Sequence, residues 1–146
     1  MNEMSTVLLV EDNEDDIELI RYAFDKVGIG NPLVTVSDGD AAVAYVTAGG
    51  IYADRERYPL PGLVLLDLKL PRRSGFEVLD AIRSYAATQH TPVVVLTSSD
   101  QTVDIERAYR RGANAYLVKP VSRDALLGMV QTLDAFWIKL NRVIGA

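Results

Sequence analysis

The chain has 146 residues, 49% of them hydrophobic and 24% charged, and a formal net charge of −5. That suits one globular domain with its own core and argues against nucleic acid as the main partner. Cysteine is absent, which excludes disulfide frameworks and thiolate metal sites. The apolar run nearest the N-terminus, Val7 to Val10, is too short for a signal peptide or a membrane span, so the expected location is the cytoplasm, with no membrane partner.

Taken in chain order, VLLV at 7–10 lacks polar alternation, as a strand buried on both faces should. In 14–27, Ile17, Ile20, Phe24 and Val27 share one helical face, and Gly28 can supply a left-handed stop. LVTV at 33–36 reads as a second strand, and 40–48 as a short helix ending at Gly49-Gly50. Gly49 to Gly62 is the one long connection; Tyr52, Tyr58, Pro59 and Pro61 predict an ordered surface loop. LVLL at 63–66 is the third strand, and Ser74 and Glu77 have capping-box spacing ahead of Phe76, Leu79 and Ile82. VVVL at 93–96 precedes a helix over 101–111 that ends at Gly112. AYLV at 115–118 is the fifth strand, and Ser122 can cap a final helix that runs past Trp137.

Five strand–helix units in alternation predict an α/β fold with a parallel sheet and helices on both faces. The expected class is flavodoxin-like, a (βα)5 doubly wound sheet. Its strand order, 2-1-3-4-5, is taken over from that class rather than read from these residues. The whole chain, 1–146, reads as a single domain, with a core at about 6–134 and a helical C-terminal extension at about 135–146.

The informative residues stand where strands end. Glu11 and Asp12 follow the first strand and Asp67 follows the third. Ligands of open α/β sheets bind beyond the carboxyl ends of strands, where strand order reverses. In the expected order the first and third strands meet at that point, which crowds the three carboxylates. Two unit charges about 4 Å apart at an effective dielectric near 20 repel by roughly 4 kcal/mol. A divalent cation or a raised carboxyl pKa would relieve this, and hard oxygen donors without His or Cys favour Mg2+. Thr97 and Lys119 end the fourth and fifth strands and bring a hydroxyl and an ammonium to the same rim. Any one acidic residue after a strand is ordinarily a helix cap or a solvated loop residue. All five residues together make a coherent phosphoryl-transfer site, in which a carboxylate attacks and the hydroxyl and ammonium hold phosphoryl oxygens.

Four strings in order, LLVEDN (8–13), LLDLKLP (65–71) with SGFEVL (74–79), VVVLTSS (93–99) and GANAYLVKP (112–120), resemble the receiver domains of bacterial response regulators over roughly 6–134. The resemblance implies that Asp67 accepts a phosphoryl group from a histidine kinase. Asp12, Asp67 and the backbone carbonyl of Lys69 would then bind Mg2+, with Glu11 acting mostly through water. It implies that Thr97 turns toward the phosphoryl group, that Lys119 pairs with it, and that Tyr116 is an aromatic switch. It also implies a tendency of the Lys119–Pro120 bond to be cis. From the residues alone, Tyr116 reads equally as an edge-strand aromatic packed on the fourth helix. Thr97 can also be read as a cap of the helix that follows, and Lys119 as a solvated cation, though its place beside the acidic cluster counts against that. The side chain of Lys69 leaves the phosphoryl lifetime open, and His90 reads as a surface residue.

In the final helix, Leu126, Val130, Leu133, Trp137, Leu140 and Ile144 form a stripe of heptad period. The expectation is that Leu133, Trp137, Leu140 and Ile144 serve a homodimer, the alternative being a tail folded onto its own domain. The tail, with AFW at 135–137, and the long loop at 49–62 resemble more narrowly the single-domain regulators that partner bacterial phytochromes, which implies a bacteriophytochrome as the kinase. With no helix-turn-helix in view, output would pass by protein contact. The chain is thus expected to be a phosphoacceptor rather than an enzyme. The competing readings are a Mg2+-dependent phosphohydrolase with Asp67 as nucleophile, and a binding module that no longer takes phosphate.

Overall fold

In the computed structural model, residues 1–2 and 5–144 are described. The elements are β1 (Thr6–Val10), α1 (Glu14–Val27), β2 (Leu33–Val36), α2 (Gly39–Val46), β3 (Pro61–Leu66), α3 (Gly75–Ser84), β4 (Val93–Thr97), α4 (Thr102–Arg110), β5 (Ala115–Val118) and α5 (Arg123–Leu133). The five strands form one parallel sheet in the order β2-β1-β3-β4-β5, as expected.

Every residue of β1 and of β4 is buried, because helices cover both faces of the sheet. Side chains alternate between two cores. Leu8, Val10, Val64, Leu66, Val93 and Val95 face α2 and α3 through Tyr45, Leu79 and Ile82. Val7, Leu9, Leu63, Leu65, Val94 and Leu96 face α1 and α5 through Phe24, Leu126 and Val130. Burying one large apolar side chain contributes roughly 1.5–3 kcal/mol, so the two cores together hold the sheet rigid and fix where its strands end.

Local chemistry sets the helix boundaries. The Asn13 carboxamide caps α1 and Gly28 closes it at φ 84°. Ser74 and Glu77 form the capping box of α3, and Ser122 caps α5. Gly75 is required for a different reason. A Cβ there would lie 2.2 Å from the Asp67 carbonyl, so only glycine lets α3 start this close to the end of β3.

The long connection is ordered, as its tyrosines and prolines predict, and contains a 3-10 turn at Gly50–Ala53. Arg55 anchors it by donating to the carbonyls of Tyr45, Val46 and Tyr58. The rings of Tyr45, Tyr52 and Tyr58 stack edge-on or tilted, with centroids 5.0–6.1 Å apart.

The C-terminal segment departs from the expected stripe. After Leu133 the helix widens into π turns over Asp134–Leu140, and Asn141 is already extended. The wider turn shifts the register, so that the residue five after Leu133, Ile138, is buried at 3% exposure. Leu133 is itself in the core, which corrects its assignment to a surface interface. Trp137 is half-buried and packs on the α1–α5 core, while Leu140 and Ile144 are 70% and 79% exposed, Ile144 beyond the helix. One heptad face therefore does not run through to Ile144.

Candidate functional site

β1 and β3 pair in register with Val10 opposite Leu66, so Glu11 and Asp67 leave the sheet side by side. β5 adds Lys119, whose N–H donates to the Thr97 carbonyl at 2.8 Å. The result is an open cleft lined by Glu11, Asp12, Asp67, Lys69 and Lys119, among others. One carboxylate oxygen from each of Glu11, Asp12 and Asp67 lies within 4.8 Å of the other two. Glu11 and Asp67 are only 1% and 6% exposed, whereas Asp12 is exposed.

Asp67 is held from three directions. Its Oδ1 accepts from the Thr97 hydroxyl at 2.7 Å and from the Lys69 N–H at 3.3 Å, and its Oδ2 accepts from Lys119 Nζ at 3.0 Å. Glu11 is engaged at both oxygens: Oε1 accepts from the Asn13 N–H at 3.1 Å, and Oε2 lies 2.5 Å from Lys119 Nζ. The third partner of Lys119 is Asp16, at 3.0 Å.

The electrostatics follow from burial and crowding. Burial pushes the Glu11 carboxyl up to about 7, with Asp67 adding to the rise and the bonds from Lys119 and Asn13 opposing it. Burial alone would lower the Lys119 ammonium, but its bonds to Glu11, Asp16 and Asp67 outweigh that and leave it raised. The Lys119 proton is thus firmly held, and the surplus of the site is negative. Hard oxygen donors with a negative surplus suit a divalent cation such as Mg2+.

Glu11, Asp12, Asp67, Thr97 and Lys119, from four separate strand ends, are brought to one place. Tyr116 is half-buried on β5 and donates its hydroxyl to the Ser99 carbonyl at 2.9 Å, across the β4–α4 loop. Burial raises its phenol pKa. Every peptide bond among the described residues is trans, Lys119–Pro120 included, which corrects the expected cis tendency; trans is the intrinsic preference of an X–Pro bond. His90 is exposed and stands away from the cleft, beside Thr91 and Pro92. Arg111 pairs with Asp80 and lies over the Phe76 ring.

Sequence reasoning missed Asp16 and Ser99. Asp16 sits in the first turn of α1, where any acidic residue is favoured by the helix dipole, so its reach to Lys119 leaves no local sign. Ser99 is buried and donates to Asp104 of α4 at 2.6 Å while its carbonyl receives Tyr116. That pairing depends on where the loop folds.

A parallel sheet in this order, with three carboxylates, a hydroxyl and an ammonium at its rim, defines a receiver domain. The chain belongs to the response regulator receiver domain family, whose model matches residues 7–131. More particularly, it is similar to regulators of phytochrome systems. It is 37% identical to the response regulator Rcp1 of Synechocystis, over 94% of this chain and 92% of that protein. It superposes on the phosphorylated cyanobacterial phytochrome response regulator RcpA with a TM-score of 0.90 and 36% identity, covering 97% of this chain and 99% of that one. The bacteriophytochrome response regulator AtBRR matches at 40% identity and a TM-score of 0.75, over 97% of this chain and all (100%) of that chain. A probable methanogenesis regulatory protein, FilR2 of Methanothrix harundinacea, is 39% identical over 95% of this chain and 87% of its own length.

Proposed function

We propose that this chain is a response regulator that accepts a phosphoryl group on Asp67 from a histidine kinase of the phytochrome type and passes the change on by protein contact. The observation that carries this reading is the pairing of Asp67: its two oxygens face a hydroxyl at 2.7 Å and an ammonium at 3.0 Å, the donors a phosphoryl group needs once attached there. The relatives support the source of the phosphoryl group, since RcpA is a phosphorylated phytochrome regulator and RtBRR and AtBRR are bacteriophytochrome regulators.

Asp12, Asp67 and the Lys69 carbonyl would hold Mg2+, the two carboxylates standing in the cluster of three that can meet a cation. Glu11, whose oxygens meet the Asn13 N–H and Lys119, would act on the ion mostly through water, as the likeness to receiver domains implies. When bound, the ion neutralises charge on the phosphoryl oxygens. The Rcp1 relative, solved in a Mn2+-bound form, supports a divalent ion here. In the transfer, an Asp67 oxygen bonds to phosphorus as the bond from phosphorus to the donor nitrogen breaks. Lys119 and Thr97 then hold phosphoryl oxygens, and Thr97 draws on the loop that Tyr116 touches. Asp67 is a phosphoacceptor, not the nucleophile of a general phosphohydrolase: Lys69, two residues on, offers no second acid for a leaving group. The proposed setting is cytoplasmic.

Incubation with Mg2+ and acetyl phosphate, read by intact mass, tests the proposal. A single phosphoryl adduct that disappears in Asp67→Asn is the expected result. Turnover of varied phosphoesters without a stable adduct would favour the hydrolase, and an unmodified mass would leave only a binding module. The same reading includes a second copy of this chain as partner through the exposed Leu140 and Ile144. Sedimentation of Leu140→Glu should shift a dimeric wild type toward monomer, and an unchanged dimer would remove that surface.

A further inference from the structure

Lys119 has three ammonium protons and three carboxylate neighbours: Glu11 at 2.5 Å, and Asp16 and Asp67 at 3.0 Å each. Glu11 and Asp67 belong to the cluster that fits a divalent cation, and Asp16 does not. Asp16 comes from the first turn of α1, where its N–H donates to the capping Asn13 carboxamide at 3.0 Å. A carboxylate at this third helical position commonly turns back to the N–H of the cap residue. Here that N–H is taken by Glu11 Oε1 at 3.1 Å, which leaves the Asp16 carboxylate to face Lys119.

The consequence is electrostatic. A divalent cation and the Lys119 ammonium both seek Glu11 and Asp67, and they repel each other. A cation arriving on the cluster pushes Lys119 out of it unless an anion outside the cluster holds the ammonium in place. Asp16 is the partner of Lys119 that meets this requirement, and it is only 36% exposed at its side chain.

We propose that Asp16 is a positioning residue of the phosphoacceptor site, holding the Lys119 ammonium beside Asp67 while a divalent cation occupies the carboxylates. The proposal rests on the reading of this site as cation-dependent. Without Asp16, Lys119 has Glu11 and Asp67 alone to bond, and it competes with the cation for both.

Calorimetric titration of the full chain with MgCl2 tests this in wild type, Asp16→Asn, Lys119→Met and the double variant. Asp16→Asn keeps the side-chain shape and the helix. It is expected to weaken Mg2+ binding about fivefold when Lys119 is present and less than about twofold in the Lys119→Met background. Asp16→Glu, which keeps the carboxylate, should recover most of the loss. Equal losses in both backgrounds would mean that Asp16 acts only through its field, and would overturn the proposal, as would unchanged affinity in Asp16→Asn. A wild type that binds no Mg2+ would sink the cation-dependent reading itself, an outcome distinct from the others.

Discussion

Two partly buried cations in this molecule are held in opposite ways. Arg83, on α3, donates to the carbonyls of Gly112, Gln89 and Thr91 and to the Asn114 carboxamide. Lys119, at the other end of the sheet, faces three carboxylates. A guanidinium wrapped in neutral oxygens leaves nothing over to bind a ligand. An ammonium among carboxylates cancels only part of their charge, so the remainder is available to a cation or must be relieved by protonation. The first arrangement is a clasp, and the second is a site that is incomplete by itself.

Removing the clasp should give the larger effect. In Arg83→Ala the Gly112 and Thr91 carbonyls lose their side-chain donor, and burial already disfavours water as a substitute, as the lowered Arg83 pKa indicates. The expected loss is about 3 kcal/mol, read from the urea midpoint at constant slope. A loss well under about 1 kcal/mol would make the clasp ornamental and break the comparison.

Breaking the site should move stability the other way. Asp67→Asn removes one of two buried like charges, while the Asn oxygen can still accept from Thr97 or Lys119. A net gain of about 1–2 kcal/mol is expected in metal-free buffer, smaller than the bare repulsion because the Lys119 pair is weakened too. Mg2+ should raise the melting temperature of the wild type and of Arg83→Ala by similar amounts, and that of Asp67→Asn far less. If Asp67→Asn instead destabilised the metal-free protein, the carboxylates would not be in conflict as their crowding implies.

The same contrast explains what could be read without coordinates. The strands, the five-residue constellation and the caps at Gly28, Ser74 and Ser122 were all legible, because apolar runs, strand-end residues and turn residues act locally or through a regular topology. Arg83, Arg55 and Asp16 were not, because a charged side chain on a helix or loop looks solvated until its tertiary partners are known. The tail was misread for a related reason. A heptad stripe assumes an unbroken α-helix, and the π turns at Asp134–Leu140 exchanged Ile138 into the core and left Leu140 outside. Nothing in the residues 134–140 announces that change of period.

The smallest expected effect tests the other clasp, where Arg55 and Tyr45 tie the long connection to α2. The Tyr45 ring is fully buried and its hydroxyl donates to the Pro59 carbonyl at 2.8 Å. Burial raises its pKa above the ordinary 10.0, against an opposing pull from Arg55. At neutral pH Tyr45→Phe loses one neutral hydrogen bond, about 1 kcal/mol. Above pH 10 the unfolded chain releases the phenolic proton while the folded chain retains it, so the unfolded state gains and wild-type stability falls as pH rises. The variant has no such proton. Other tyrosines and lysines titrate in both proteins and cancel in the difference. The gap between wild type and Tyr45→Phe, taken from urea midpoints at about pH 8 and about pH 10.5, should therefore narrow at the higher pH. A gap that stays constant would mean that the ring is reached by water and that this loop is held by Arg55 alone.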